Sequence, residues 1–138
     1  MSLKRTKEWF EQAIPEPTIE QACIQIGCHL EEVSEMANAI GDFDLESDIC
    51  TASREYKEVV GFIPNESVDK LALADSLADQ IVTAIGIAHM YGIDIEGALE
   101  EVNRSNFSKF ENGKAVFDEN GKITKGKNYV KPNLKPFV

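Results

Sequence analysis

The sequence predicts an all-α protein: a bundle of four to five helices followed by a short hairpin and an extended C-terminal arm. Three observations carry that expectation. Apolar residues recur at alternating three- and four-residue spacing over 19–40; the stretch LALADSLADQIVTAIGIAHMY over 71–91 is nearly all apolar or small; and capping residues stand in front of the long periodic segments.

The first helix is expected over 6–14 (TKEWFEQAI), with Trp9 and Phe10 on one face and a stop at the Pro15–Pro17 segment. Thr18 and Gln21 then form a capping box for a helix over 19–40, whose predicted core face is Ile19, Cys23, Ile26, Leu30, Val33, Ala37 and Ile40, ending at Gly41. GDFDLES reads as an acidic loop, followed by a third helix over 47–60 that Gly61 and Pro64 break. Ser67 is the predicted cap of the long helix 68–91, which Gly92 ends, and Asp94 caps a last helix over 95–108. From Glu111 the pattern changes: AVFDENGKIT reads as a hairpin around Asn120-Gly121, and KGKNYVKPNLKPF as an arm holding two prolines. No internal repeat is read.

At 138 residues and 43% hydrophobic content the chain is expected to form one domain, 1–138, with 111–138 as its arm. No uninterrupted run of eighteen apolar residues occurs and MSLKRTKEWFEQ has no apolar leader core, so neither a membrane span nor a secretory signal is expected, and the protein reads as cytoplasmic. Cys23, Cys28 and Cys50 are odd in number and lack a CxxC pair, which suits reduced thiols rather than a disulfide framework or zinc knuckle.

The net charge of −10 is unevenly spread. Between residues 8 and 108 the only basic side chains are Arg54, Lys57, Lys70 and Arg104, whereas 109–138 carries seven lysines. An acidic body repels phosphate backbones, so no nucleic-acid partner is expected. The lysine-rich end is expected to meet phosphates or an acidic neighbour, or simply to be solvated.

Two carboxylate groups carry the chemistry. Asp75 and Asp79 are the only acids in the apolar stretch 71–91; four residues apart, they share a face, where like charges repel, more so if partly buried. They are read as ligands or as partners of a cation. Glu31, Glu32 and Glu35 form an EExxE run on the earlier helix. Taken alone, they read as a solvated face. Two helices each presenting an acidic pair suggest a magnesium site, because hard cations take oxygen ligands. His29 and His89 do not stand three residues after a glutamate, which removes the ExxH pattern of di-iron bundles, and no glycine-rich phosphate loop is present.

The series LEEVSEM, DSLADQIVTAIGIAHMYGID, EEVNRSNFSKF and GKITKGKNY, over roughly 19–131, resembles the MazG-like all-α nucleoside triphosphate pyrophosphohydrolases in their short bacterial and phage form. The resemblance implies a helical bundle assembled as a homodimer or dimer of dimers. It further implies Mg2+-dependent hydrolysis of a (deoxy)nucleoside triphosphate to monophosphate and pyrophosphate, with Mn2+ as a substitute. Glu32 and Glu35 match the metal-ligand positions of EExxE; attack of water on phosphorus also needs a base, for which Glu31 and Glu35 are the two candidates. In the ExxD motif, Asp79 holds the aspartate position while Ser76 stands where glutamate is expected, and Asp75 is taken as its replacement. Asn106 and Lys109 match nucleotide contacts, and Lys125, Gly126 and Tyr129 the phosphate- or base-contacting tail; Lys127 and Lys131 stand where prolines are common. The alternative expectation is a catalytically silent bundle that binds nucleotide or a protein partner, with Ser76 marking the lost ligand.

Overall fold

The computed structural model describes residues 2–58 and 68–138. Among these the secondary structure is helical: α1 Ser2–Ala13, α2 Ile19–Ala39, α3 Phe43–Glu58, α4 Lys70–Met90 and α5 Ile95–Phe107, then one turn of 3-10 helix at Lys135–Phe137. The all-α expectation holds. The chain divides into two compact units, one of residues 16–67 and 117–122, the other of 1–15, 68–116 and 123–138.

In the first unit, α2 starts as expected: Thr18 Oγ1 accepts from the Gln21 backbone N–H at 3.2 Å, and the Gln21 side chain accepts from Thr18 N–H at 2.9 Å. Helix α3 starts four residues before the expected 47. The supposed acidic loop is its first turn, because the Asp42 carboxylate accepts from Leu45 N–H at 3.1 Å and Asp44 and Glu46 stand at the positive end of the helix dipole. Its expected end at Val60, with the Gly61 and Pro64 break, lies outside the described residues.

Helices α2 and α3 pack along a seam of small residues: Cys23 and Ala37 of the expected face are buried, joined by Gly27 and Ser34, which lie outside it. Ile19, Ile26 and Ile40 are exposed. The seam explains the shift, since the backbones come too close for a larger side chain: a Cβ on Gly27 would lie 2.5 Å from Lys57 Cγ and 2.9 Å from the Ser53 carbonyl oxygen. The buried Ser53 hydroxyl donates to the Gly27 carbonyl at 2.7 Å, and Ser34 Oγ to that of Glu46 at 3.1 Å.

Residues 117–122 form the expected turn. Asp118 N–H donates to the Lys122 carbonyl and Gly121 N–H to that of Asp118, with Gly121 at φ +78°. The Asp118 carboxylate also accepts from Asn120 and Lys122 N–H, so a three-residue loop closes the turn and no named strand flanks it among the described residues.

The second unit is built on Trp9, Ala13 and Phe110, with Phe10, Ile14 and Phe107 against them; the Trp9 and Phe110 rings stack at 5.8 Å. Helix α1 begins four residues before the expected start, held to α5 where Ser2 Oγ donates to Glu100 and the buried Asn103 amide donates to the Ser2 carbonyl. Asp94 caps α5 as expected, through Gly97 N–H at 3.0 Å. The expected cap Ser67 of α4 lies outside the described residues. Within them Asp69 does that work, accepting from Leu71 and Ala72 N–H, each at 3.0 Å.

Helix α4 is apolar and almost wholly exposed. Ala88 is its single buried residue, while Leu71, Val82 and Met90 are 84%, 64% and 80% exposed. An eighteen-residue window of it has a mean hydropathy of 1.4, so by length and composition alone it is apolar enough to cross a membrane. The expectation of no span rested on uninterrupted apolar runs; a mean tolerates the two aspartates that break this one.

Candidate active site

The three glutamates of the EExxE run do not share one environment. Helix periodicity carries Glu31 to the α3 side of α2, one turn beyond Gly27, where its Oε2 meets Lys57 Nζ at 3.0 Å and Lys122 Nζ at 2.7 Å. The Lys122 ammonium, then Lys57, holds the Glu31 carboxyl below the usual range against the opposing effect of burial, and Glu31 in turn raises Lys122. Cys28, one turn before Glu32, has its thiol pushed up by burial. Glu32 and Glu35 are exposed, Glu35 one turn beyond Glu31 and Glu32 farther round the helix.

Asp75 and Asp79 lie one turn apart on α4, both exposed rather than partly buried as expected. Neither forms an ion pair with another described residue, so their repulsion is that of two solvated charges, a few tenths of a kcal/mol. Ser76 stands beside them, its hydroxyl accepting from the Gln80 amide at 3.1 Å.

The residues expected to contact nucleotide gather at the end of α5. Gly126 lets the arm lie against α5: a Cβ there would come within 2.5 Å of the Lys109 carbonyl oxygen. The Lys109 ammonium lies 5.8 Å from the Trp9 ring centroid, and that of Lys125 lies 5.0 Å from the Tyr129 ring centroid. Asn106 is half-buried and its carbonyl accepts from Lys109 N–H at 3.0 Å, the contact of a helix end.

The arm itself is tied down along α5. Arg104 makes two 2.7 Å hydrogen bonds to Glu101, whose Oε1 also accepts from Asn133 N–H at 2.8 Å. Arg104 reaches the Lys131 carbonyl at 3.2 Å, and Val130 N–H donates to Ser108 Oγ at 2.8 Å. Arg104 and the Asn133 N–H hold the Glu101 carboxyl down to about 2.

Among the described residues no three His, Cys, Asp or Glu side chains converge. What is present is two carboxylate pairs, Glu32 with Glu35 in one unit and Asp75 with Asp79 in the other, and each offers oxygen donors alone, which suit magnesium or manganese rather than zinc or copper. Gly27, Ser53, Lys57 and Lys122 do not figure in the sequence reading of the site. The scarcity of bases between residues 8 and 108 is a signal that could have singled out Lys57.

No model of a known family, no curated protein and no solved structure matches this chain.

Proposed function

We propose that this protein is a MazG-like nucleoside triphosphate pyrophosphohydrolase, which cleaves a (deoxy)nucleoside triphosphate to monophosphate and pyrophosphate, in the role of nucleotide-pool sanitation. The observation that carries this reading is a difference within the EExxE run: Glu31 is half-buried and meets two lysines, while Glu32 and Glu35 are exposed on the surface of α2. Glu32 with Glu35, and Asp75 with Asp79, are the residues that would hold magnesium. The bound ion would supply charge neutralisation on the phosphate oxygens and acidify a water for attack.

The protein's own groups then have separate tasks. With two ammonium groups on one of its oxygens, Glu31 is a weak base and serves to anchor the turn at Lys122. Glu35 is left as the base that takes the proton of the attacking water. Lys109, Asn106, Lys125 and Tyr129 bind the nucleotide, the lysines by charge and Tyr129 by stacking.

A homodimer or dimer of dimers accounts for the exposed apolar face of α4, which a second copy would cover. A bilayer is the poorer cover, since Asp75 and Asp79 would be costly within it. The silent-bundle alternative finds support in Ser76, a neutral hydroxyl bonded to Gln80 where the resemblance places a glutamate. Incubation of the purified chain with magnesium and a panel of nucleoside triphosphates separates the two. Pyrophosphate release supports hydrolysis, and binding without any product supports the silent bundle.

A further inference from the structure

We infer that the unit of residues 16–67 and 117–122 carries a binding site for a small aromatic phosphate monoester, separate from the carboxylate pairs and independent of the hydrolase reading. Between α2, the end of α3 and the 118–122 turn lies a cavity of about 420 Å3, within the range of small-molecule sites, with Tyr56 and Phe117 among its walls. A second cavity of about 120 Å3 shares Ile24, Lys57 and Asn120 with it, so the two form one crevice. Arg54, Lys57 and Lys122 line this smaller end.

Those three are the only basic side chains in an otherwise acidic unit, and all of them meet here. Lys57 and Lys122 share a single oxygen of Glu31, so two ammonium groups answer to one carboxylate and each keeps further N–H donors. Arg54 is exposed and makes no hydrogen bond or ion pair with another described residue. A guanidinium fork beside two ammonium groups suits a phosphate, and aromatic walls suit a flat ring. The exposed Asn120 amide, common to both cavities, can read a polar ring edge.

Charge also sets the size of the anion. Glu58 and Asp118 stand at the cationic end and Glu20 and Glu119 at the aromatic end, so one phosphate is tolerated where a triphosphate is repelled.

Phenyl phosphate, phenol and inorganic phosphate, titrated into the full chain in EDTA and followed by backbone amide shifts, test this site without any metal. Phenyl phosphate is expected to move the Tyr56 and Gly121 amides, with phenol and phosphate each binding about tenfold more weakly. Arg54→Gln and Phe117→Ala, both at exposed positions, are each expected to weaken binding about fivefold with helix content unchanged. No shift at Tyr56 and Gly121 up to about 10 mM phenyl phosphate would overturn the site. So would equal binding of phosphate alone, or affinity that neither substitution alters.

Discussion

Lys122 Nζ lies 2.7 Å from Glu31 Oε2, tying a turn near the end of the chain to a helix ninety-one residues earlier, and Lys57 reaches the same oxygen at 3.0 Å. This makes the unit's stability depend on pH at both extremes. Glu31 titrates below its ordinary value, so its contribution is present above the unfolded carboxyl pKa and fades as pH falls through the folded one. Lys122 titrates above its ordinary value, so its contribution is present below the unfolded lysine pKa and fades as pH rises through the folded one. A plateau between about pH 5 and 10 is expected. Glu31→Gln should lower stability there by about 1 kcal/mol, because solvent screens a half-exposed cluster. Urea midpoints across pH check both.

The α2–α3 seam gives a sharper test. Gly27→Ala should destabilise the unit by about 2 kcal/mol, since its Cβ meets Lys57 Cγ and the Ser53 carbonyl, while Ser53→Ala should cost about 1 kcal/mol for the lost bond to Gly27. Chemical denaturation of both variants measures the difference.

Local signals were the legible part of the fold. The Thr18–Gln21 box and the Asp94 cap act through neighbours in sequence, and both stand as read. The buried face of α2 was legible only in part: Cys23 and Ala37 are buried as read, but apolar periodicity favours Ile19 and Ile26 over Gly27 and Ser34, whose burial follows from how closely α3 approaches. The tetrapeptide ENGK shows the same limit. At 111–114 it forms a two-residue turn with Asn112 and Gly113 both at positive φ; at 119–122, where Asp118 caps the loop, only Gly121 is. Of the candidate site, the pairing of residues within each helix was legible from spacing; the commitment of Glu31 to Lys57 and Lys122 depends on tertiary contacts that spacing does not encode.

The arm should be a pH-resistant clasp. Glu101 titrates at about 2, so its hold on the Asn133 N–H is present above the ordinary carboxyl range and fades only as pH falls toward that value. Hydrogen exchange at Asn133, corrected for intrinsic rate, should stay slow at about pH 4 and quicken in Glu101→Gln.

Association should run through α4. Sedimentation equilibrium should show a dimer or tetramer, and Val82→Lys, which puts a charge on the exposed apolar face, should weaken it by about tenfold. A chain that sediments as a monomer at every concentration contradicts this.

Asp79→Asn and Glu32→Gln test the metal ligands most directly, through pyrophosphate release from a nucleoside triphosphate measured beside thermal melts with and without magnesium. Asp79 is exposed and repels Asp75 one turn away, so Asp79→Asn should melt at or above the wild-type temperature without metal, while Glu32→Gln, also at an exposed position, should change stability by less than about 1 kcal/mol. The proposed account predicts that each variant loses most pyrophosphate release and the magnesium-induced rise in melting temperature. Variants that keep wild-type turnover, or a wild-type protein that yields orthophosphate and diphosphate, would contradict it.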